Sequence, residues 1–133
     1  MAVVAPRSVS DSHAVAGPAL RTFFNIAEAW GLNTGQAKTL LGLGSRSTFF
    51  KWKADPDGAR LTRDTLERLS YIFGIYKALQ LLLPKPEAAD AWVRRPNTAL
   101  PFQGKSALDR MLSGNVVDLY VVRQYLDAQR AWS

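Results

Sequence analysis

The sequence has no cysteine, and His13 is the one histidine among its 133 residues. Without thiols there is no disulfide, no cysteine nucleophile and no cysteine-based zinc site, and a lone histidine has no second ligand with which to hold a metal. The carboxylates of the C-terminal half are scattered, with no nucleophile or phosphate-binding loop near them. We therefore expect no metal, no cofactor and no catalytic residue, and we assign His13 no chemical role.

Long apolar runs are also missing, because no stretch approaches the roughly 18 residues that a membrane span needs. The first 17 residues contain a single short apolar run, residues 2–5, with no basic residue before it. This is not the pattern of a signal peptide. We expect a cytoplasmic protein with no membrane partner, in which residues 1–17 form a flexible leader.

Acidic residues are scarce. Eleven Asp and Glu stand against 17 Lys and Arg, which gives a formal charge of +6 and a pI near 10.0. Such a charge favours a polyanionic partner, with nucleic acid first and an acidic protein surface second. The imbalance is strongest between Ala29 and Ala54, a stretch with no acid and four cations: Lys38, Arg46, Lys51 and Lys53.

What the sequence does have is helical periodicity, which predicts an all-α fold. Apolar residues recur at three- and four-residue steps in a first helix that we expect to begin at Pro18. Asn33 and Gln36 have the spacing of a capping box, and Ser45 is placed to cap the next helix. Two short helices around a glycine-bearing turn give residues 18–59 the outline of a helix-turn-helix DNA-binding domain.

The second helix of this pair is expected to bury Phe49 and Trp52 and to turn its other face toward DNA. Arg46 suits the paired acceptors of a guanine, whereas the two lysines and Gln36 suit phosphates. The alternative is a solvated helix face with no partner. The predicted DNA-binding residues are Gln36, Arg46, Ser47, Thr48, Phe50, Lys51 and Lys53.

Residues 60–133 are predicted to form a helical dimerisation and partner-binding domain. It opens with a long helix from Thr62 to Leu83 that is apolar on two sides, and a helix of this kind must bury both. One side closes the N-terminal core. The other predicts a homodimer, unless the C-terminal segment folds back over it. The predicted dimerisation residues are Leu69, Ile72, Phe73, Tyr76 and Leu79.

The last helix is predicted to run from about Val116 to the C-terminus, with Leu119, Val122 and Leu126 as its buried stripe. A second stripe at three- and four-residue steps carries Tyr120, Arg123, Asp127 and Arg130. Trp132 follows, and its large apolar area either binds a partner or folds back into the core.

Four ordered motifs in this half resemble the toxin-binding domain of the Xre/MbcA/ParS antitoxin family. They are W-x3-P-N-x2-L at residues 92–100, G-x-S-x-L at 104–108, L-S-G at 112–114 and V-R-x-Y-L-D-A at 122–128. The resemblance covers residues 60–132. The Xre-like helix-turn-helix before it completes the arrangement of the family.

The resemblance implies a homodimeric antitoxin of a type II system that binds a RES-domain toxin, an enzyme that destroys NAD. Its last helix and tail would block the NAD-entry cleft of the toxin, and its N-terminal domain would bind operator DNA and repress the operon. The toxin-neutralising residues would be Tyr120, Arg123, Asp127, Arg130 and Trp132. The alternative function is a free-standing homodimeric transcriptional regulator without a toxin; neither function needs a small-molecule substrate.

Overall fold

The computed structural model describes the backbone of residues 9–132 and the side chains of residues 14–132. This range contains seven α-helices, two 3₁₀ turns and no β-strand, so the predicted all-α class is confirmed. The helices are α1 (Val9–Ala29), α2 (Thr34–Leu40), α3 (Arg46–Ala54), α4 (Arg63–Leu82), α5 (Pro86–Ala91), α6 (Ala107–Met111) and α7 (Val116–Ala131), and the 3₁₀ turns are Pro56–Gly58 and Trp92–Arg94.

Side-chain caps set the beginning of most of these helices. The predicted capping box of α2 is present, because Asn33 Oδ1 accepts from Gln36 N at 2.8 Å and Gln36 Oε1 accepts from Asn33 N at 3.0 Å. Ser45 Oγ accepts from Thr48 N at 3.2 Å and starts α3. Thr62 caps α4 in the same way. These caps confirm the predicted helix-turn-helix pair, α2 and α3.

The predicted start of α1 at Pro18 is wrong, because the helix begins at Val9 and contains the proline. Proline removes one backbone hydrogen bond from a helix interior. Packing offsets this loss, since Ala16 and Leu20 are fully buried and Arg21 pairs with Asp57 at 3.1 Å. Residues 9–17, which the sequence predicts as part of a flexible leader, are helical in the structure. Residues 1–8 and the side chain of His13 lie outside the described range.

The second apolar side of α4 is covered by α7 of the same chain. The predicted stripe of α7 is buried, with Leu119, Val122 and Leu126 at most 2% exposed. The predicted dimerisation residues Leu69, Ile72 and Leu79 are equally buried, so they have no surface to offer a second copy. The alternative, in which the C-terminal segment folds back over α4, therefore applies to this side of the helix. Phe73 and Tyr76 remain half-buried.

Two arginines join segments that are far apart in the chain. Arg68, on α4, is 9% exposed; its Nε donates to Asp64 at 2.8 Å and its Nη2 donates to the carbonyl of Gly114 at 2.9 Å. Arg94 donates from Nε to the carbonyl of Trp30 at 2.8 Å and from Nη2 to that of Gly31, which satisfies the C-terminal end of α1. Both connect the N-terminal helices to the C-terminal half.

The irregular segment between α5 and α6 is held by an aromatic cluster. The Phe102 ring is 5.1 Å from Tyr125 on α7 and 5.9 Å from Trp92. Arg110 adds a hydrogen bond of 2.7 Å from Nη1 to the carbonyl of Pro101. The side chain of Leu100 stays 83% exposed on this segment. The segment is thus held at Trp92 and at Pro101 and Phe102, although beyond the 3₁₀ turn it has no regular secondary structure.

Gly42→Ala tests the contact between Arg68 and the α2–α3 turn. Gly42 has a φ of +75°, and an added Cβ would lie 2.5 Å from Arg68 Nε. We expect a loss of about 2 kcal/mol in the free energy of unfolding, measured with urea, because a left-handed alanine is strained and Arg68 must move. The control is Gly44→Ala, where a Cβ meets nothing within 4 Å. Equal stability of the two variants would contradict the contact.

Candidate functional site

The outward face of α3 carries most of the side chains predicted to bind DNA. Arg46, Ser47, Phe50, Lys51 and Lys53 are all exposed on it, because the opposite side of the helix packs into the core. The Arg46 guanidinium lies 5.5 Å from the centre of the Phe50 ring. This cation–π contact holds an aromatic ring, 44% exposed, beside a guanidinium on the surface.

Two other predicted DNA-binding residues are placed differently. Thr48 is half-buried, at the edge of the exposed face of α3 rather than at its centre. Gln36 is also half-buried, and its Oε1 is occupied in the capping box of α2. Its Nε2 group remains as the donor that it can offer to a phosphate.

Two cations near α3 are placed differently from the sequence prediction. Lys38 Nζ donates to the carbonyl of Leu43 at 3.3 Å, which turns this cation inward toward the α2–α3 turn. Arg60, exposed just after the 3₁₀ turn, adds a cation that the sequence pattern did not predict. Spacing could not identify Arg60, since the turn that brings it beside α3 is not periodic.

A second exposed surface lies where α7 crosses α4, and it contains most of the predicted toxin-neutralising residues. The Tyr120 ring is 5.7 Å from that of Tyr71. Arg123 Nε donates to Asp127 at 3.1 Å, and its guanidinium occupies the space above Gly74 that any larger residue would fill. Arg130, one helical turn further along α7, is exposed.

Trp132 belongs to the opposite flank of α7. Residues 125, 129 and 132 follow one another at helical spacing, and Tyr125 of this row stacks on Trp92, away from Tyr71 and Gly74. The Trp132 side chain is 89% exposed. The alternative in which Trp132 folds back into the core therefore does not describe this structure. The structure brings four of the five predicted residues together and separates the tryptophan from them.

Beside that row is an apolar cavity of about 200 Å³ without charged residues, between the C-terminal ends of α4 and α7. Leu82 and Leu83 form one wall, and Trp92 and Tyr125 form another. The flank of α7 that carries Trp132 is thus apolar. The flank that carries Arg123 and Asp127 is polar.

Two ionisable groups near α7 have shifted pKa values. Partial burial, followed by a hydrogen bond to Glu67 at 3.2 Å, raises the pKa of Tyr71. A hydrogen bond from the Ser113 hydroxyl, and then the guanidinium of Arg110 at 2.8 Å, hold the pKa of Asp118 below its usual range. Asp118 lies in the first turn of α7, so the carboxylate also faces the positive end of the helix dipole.

Two negative findings apply to the described residues. Their side chains include no group of three His, Asp or Glu that could hold a metal ion. None of their helices is long and apolar enough to cross a bilayer.

The fold and these two surfaces define a helical protein with a helix-turn-helix domain followed by a domain for protein binding. Residues 10–74 match the antitoxin Xre-like helix-turn-helix domain, and residues 78–131 match the antitoxin Xre/MbcA/ParS C-terminal toxin-binding domain. The chain belongs to the Xre/MbcA/ParS family of antitoxins. It is also similar to the protein y4oB of Sinorhizobium fredii, with 56% identity over 111 residues that cover 84% of this chain and 83% of that protein.

The lowered pKa of Asp118 makes the attachment of α7 dependent on pH. A carboxyl group with a folded pKa below its unfolded value, about 3.9, contributes stability above that value. The contribution is lost as the pH falls through the folded pKa. We therefore expect Asp118→Asn to flatten the dependence of unfolding free energy on pH below about pH 5.

The physical cause can be checked separately with Ser113→Ala, which removes the hydrogen bond that contributes most to the shift. In this variant the pKa of Asp118, followed by NMR of the side-chain carboxyl, should rise toward its usual value. An unchanged pKa would mean that Ser113 does not stabilise the carboxylate.

Proposed function

We propose that this antitoxin neutralises a RES-domain, NAD-degrading toxin and represses its own operon as a homodimer. The single observation that carries the proposal is the placement of two exposed binding surfaces on different helices of one core. The cationic face of α3 and the outer side of α7 share no residue, so DNA and toxin do not compete for the same side chains.

On the toxin side, the polar flank of α7 provides both a donor and an acceptor. Arg123 and Asp127 pair with each other and remain partly exposed, with side-chain exposures of 35% and 45%. Tyr120 extends this flank. Trp132 extends beyond the end of α7 with little contact to its own chain, so it supplies apolar area for insertion into a cleft. These features suit a segment that covers the NAD-entry cleft of the toxin.

On the DNA side, α3 fits the requirements of a recognition helix. Its N-terminal residues Arg46 and Ser47 are exposed, and Lys51 and Lys53 follow them. No acidic residue lies between Ala29 and Ala54 in the sequence. A guanidinium can donate two hydrogen bonds to the O6 and N7 atoms of a guanine. The Phe50 ring beside it offers an apolar contact to a thymine methyl group.

The homodimer needs a surface other than the one predicted from the sequence. Phe73 and Tyr76 are the two predicted residues that keep exposed area, and Leu81, 58% exposed, adds apolar surface to the same helix. We propose that the antitoxin acts in the cytoplasm by binding alone, without catalysis. The mass of the chain in solution, by analytical ultracentrifugation, tests the dimer directly.

Trp132→Ala tests the role of the tail in neutralisation. We expect it to weaken binding of the toxin encoded beside this gene and to restore toxicity in co-expressing cells, because Ala cannot fill a cleft that the indole fills. Leu100→Ala is the matched control, since Leu100 is an apolar side chain of similar exposure outside α7.

Removal of residues 130–133 should have a stronger effect than Trp132→Ala while DNA binding persists. Full neutralisation by that truncated chain would contradict the assignment.

Arg46→Ala tests the base contact. Loss of a bidentate contact to guanine should cost about 1–3 kcal/mol of operator affinity and relax specificity at that base pair. The measurement is fluorescence anisotropy with labelled DNA from upstream of this gene and with random-sequence DNA. Unchanged affinity for both would exclude Arg46 from base recognition.

A further inference from the structure

One flank of α3 borders a cleft of about 420 Å³ that the helix-turn-helix assignment leaves unused. The cleft lies between α3, the α2–α3 turn and the segment that leads into α4. Its polar side chains are Thr48, Lys51, Arg60, Thr62 and Thr65. We propose that it binds a backbone phosphate of the DNA whose bases α3 contacts, with Lys51, Arg60 and Thr48 as donors. The inference rests on the DNA binding of the proposed function and adds Arg60 to it.

The charge of the cleft supports an anionic ligand. Its lining includes two cations and no carboxylate. The nearest carboxylates along the chain are already engaged, because Asp57 pairs with Arg21 and Asp64 pairs with Arg68. Asp55 accepts a hydrogen bond from the backbone of the 3₁₀ turn. Among the described residues, no carboxylate forms an ion pair with Lys51 or Arg60.

The hydroxyl groups of the cleft divide into structural donors and one remaining donor. Thr62 Oγ1 caps α4, and it also donates to Thr65 Oγ1 at 3.2 Å. Thr65 Oγ1 donates to the carbonyl of Leu41 at 3.3 Å. The backbone N–H of Thr48 is bound to the Ser45 cap, but its hydroxyl is not part of these contacts. The side chain of Thr48 can therefore donate to a phosphate oxygen.

The position of the cleft agrees with the dimensions of a DNA groove. The opposite flank of α3, at Phe49 and Lys53, borders another cleft, which extends to Asn33 at the start of α2 and also contains Glu28. A helix with its side chains is about 10–12 Å across, and the major groove is about 12 Å wide. A helix that fills the groove brings its two flanks against the two phosphate backbones. The flank with Arg60 lacks an acid, so it is the more favourable of the two for a phosphate.

This placement specifies the role of Thr48. The sequence analysis predicts that Thr48 binds DNA, without dividing bases from backbone for this residue. In the structure it lies on the same flank as Lys51 and Arg60, so its contact is to the backbone. Phosphate contacts carry no direct sequence information. The cleft should therefore strengthen binding to every DNA sequence by a similar factor.

Arg60→Gln tests the cleft, because it removes the charge from an exposed side chain without disturbing the core. Each phosphate contact contributes about −0.9 to the slope of log affinity against log salt, so one lost contact should weaken binding about eightfold at 0.1 M salt. The probes are a labelled duplex from upstream of this gene and a random-sequence duplex of equal length, titrated between about 50 and 200 mM salt. Both should weaken alike, with a shallower slope.

Arg95→Gln is the matched control, since Arg95 is an exposed arginine of the C-terminal half and its loss changes the net charge equally. We expect it to leave affinity and slope near the wild-type values. If Arg60→Gln behaves like Arg95→Gln with both duplexes, the cleft does not bind phosphate and the inference is overturned.

Thr48→Val separates a phosphate contact from a base contact, since valine has the shape of threonine and lacks its hydroxyl. Weaker binding to both duplexes supports the cleft, whereas a loss confined to the upstream duplex, or no loss, overturns the assignment of Thr48.

The Arg46→Ala variant completes the series. If it loses the upstream duplex selectively while Arg60→Gln has no effect, only the cleft is refuted. A wild-type chain that binds neither duplex refutes the proposed operator binding as well.

Discussion

The buried guanidinium of Arg68 is the contact through which the two halves of this chain are held in one arrangement. It packs under Gly42 in the turn of the helix-turn-helix, pairs with Asp64 on its own helix, and donates to the carbonyl of Gly114 at the turn before α7. Hydrogen bonds to a charged group contribute about 1.5–3 kcal/mol each. A charge that is buried to this degree must keep its partners, so the positions of the two turns depend on each other.

The same constraint explains why α4 serves both domains. The boundary between the two family matches falls within this helix, at residues 74–78. Its N-terminal half contacts α1 and the α2–α3 turn, and α7 packs along it. The antitoxin thus has one continuous core with two exposed surfaces, on α3 and on α7, that we propose bind DNA and toxin. α7 packs directly against α4, whereas α3 packs against α1 and the 3₁₀ turn Pro56–Gly58.

Features that depend on neighbouring residues could be predicted from the sequence. The caps at Asn33 and Ser45 and the buried stripe of α7 can be identified because a cap needs only a partner three residues away and a stripe needs only helical spacing. The start of α1 cannot be predicted from neighbouring residues, because this helix packs against the 3₁₀ turn Pro56–Gly58, far along the chain. The cover of α4 by α7 was left open for the same reason.

The residues of the two proposed binding surfaces also divide into those that helical spacing predicts and those that it does not. The exposed face of α3 follows from periodicity, but Arg60 comes near this helix through a turn, which has no period. On α7, periodicity grouped Tyr120, Arg123 and Asp127 correctly. The same helical spacing places Trp132 in the row of Tyr125 and Gln129, on the other flank, once the helix is known to continue to Ala131.

Hydrogen–deuterium exchange tests most directly the claim that one core carries two separate binding surfaces. The full chain is measured alone, with DNA from upstream of its gene, and with the protein encoded by the adjacent reading frame. Protection by DNA should fall on α2, α3 and the segment around Arg60, and protection by the toxin should fall on α7 and its tail. Protection of α3 by the toxin, with none on α7, would contradict the separation of the two surfaces.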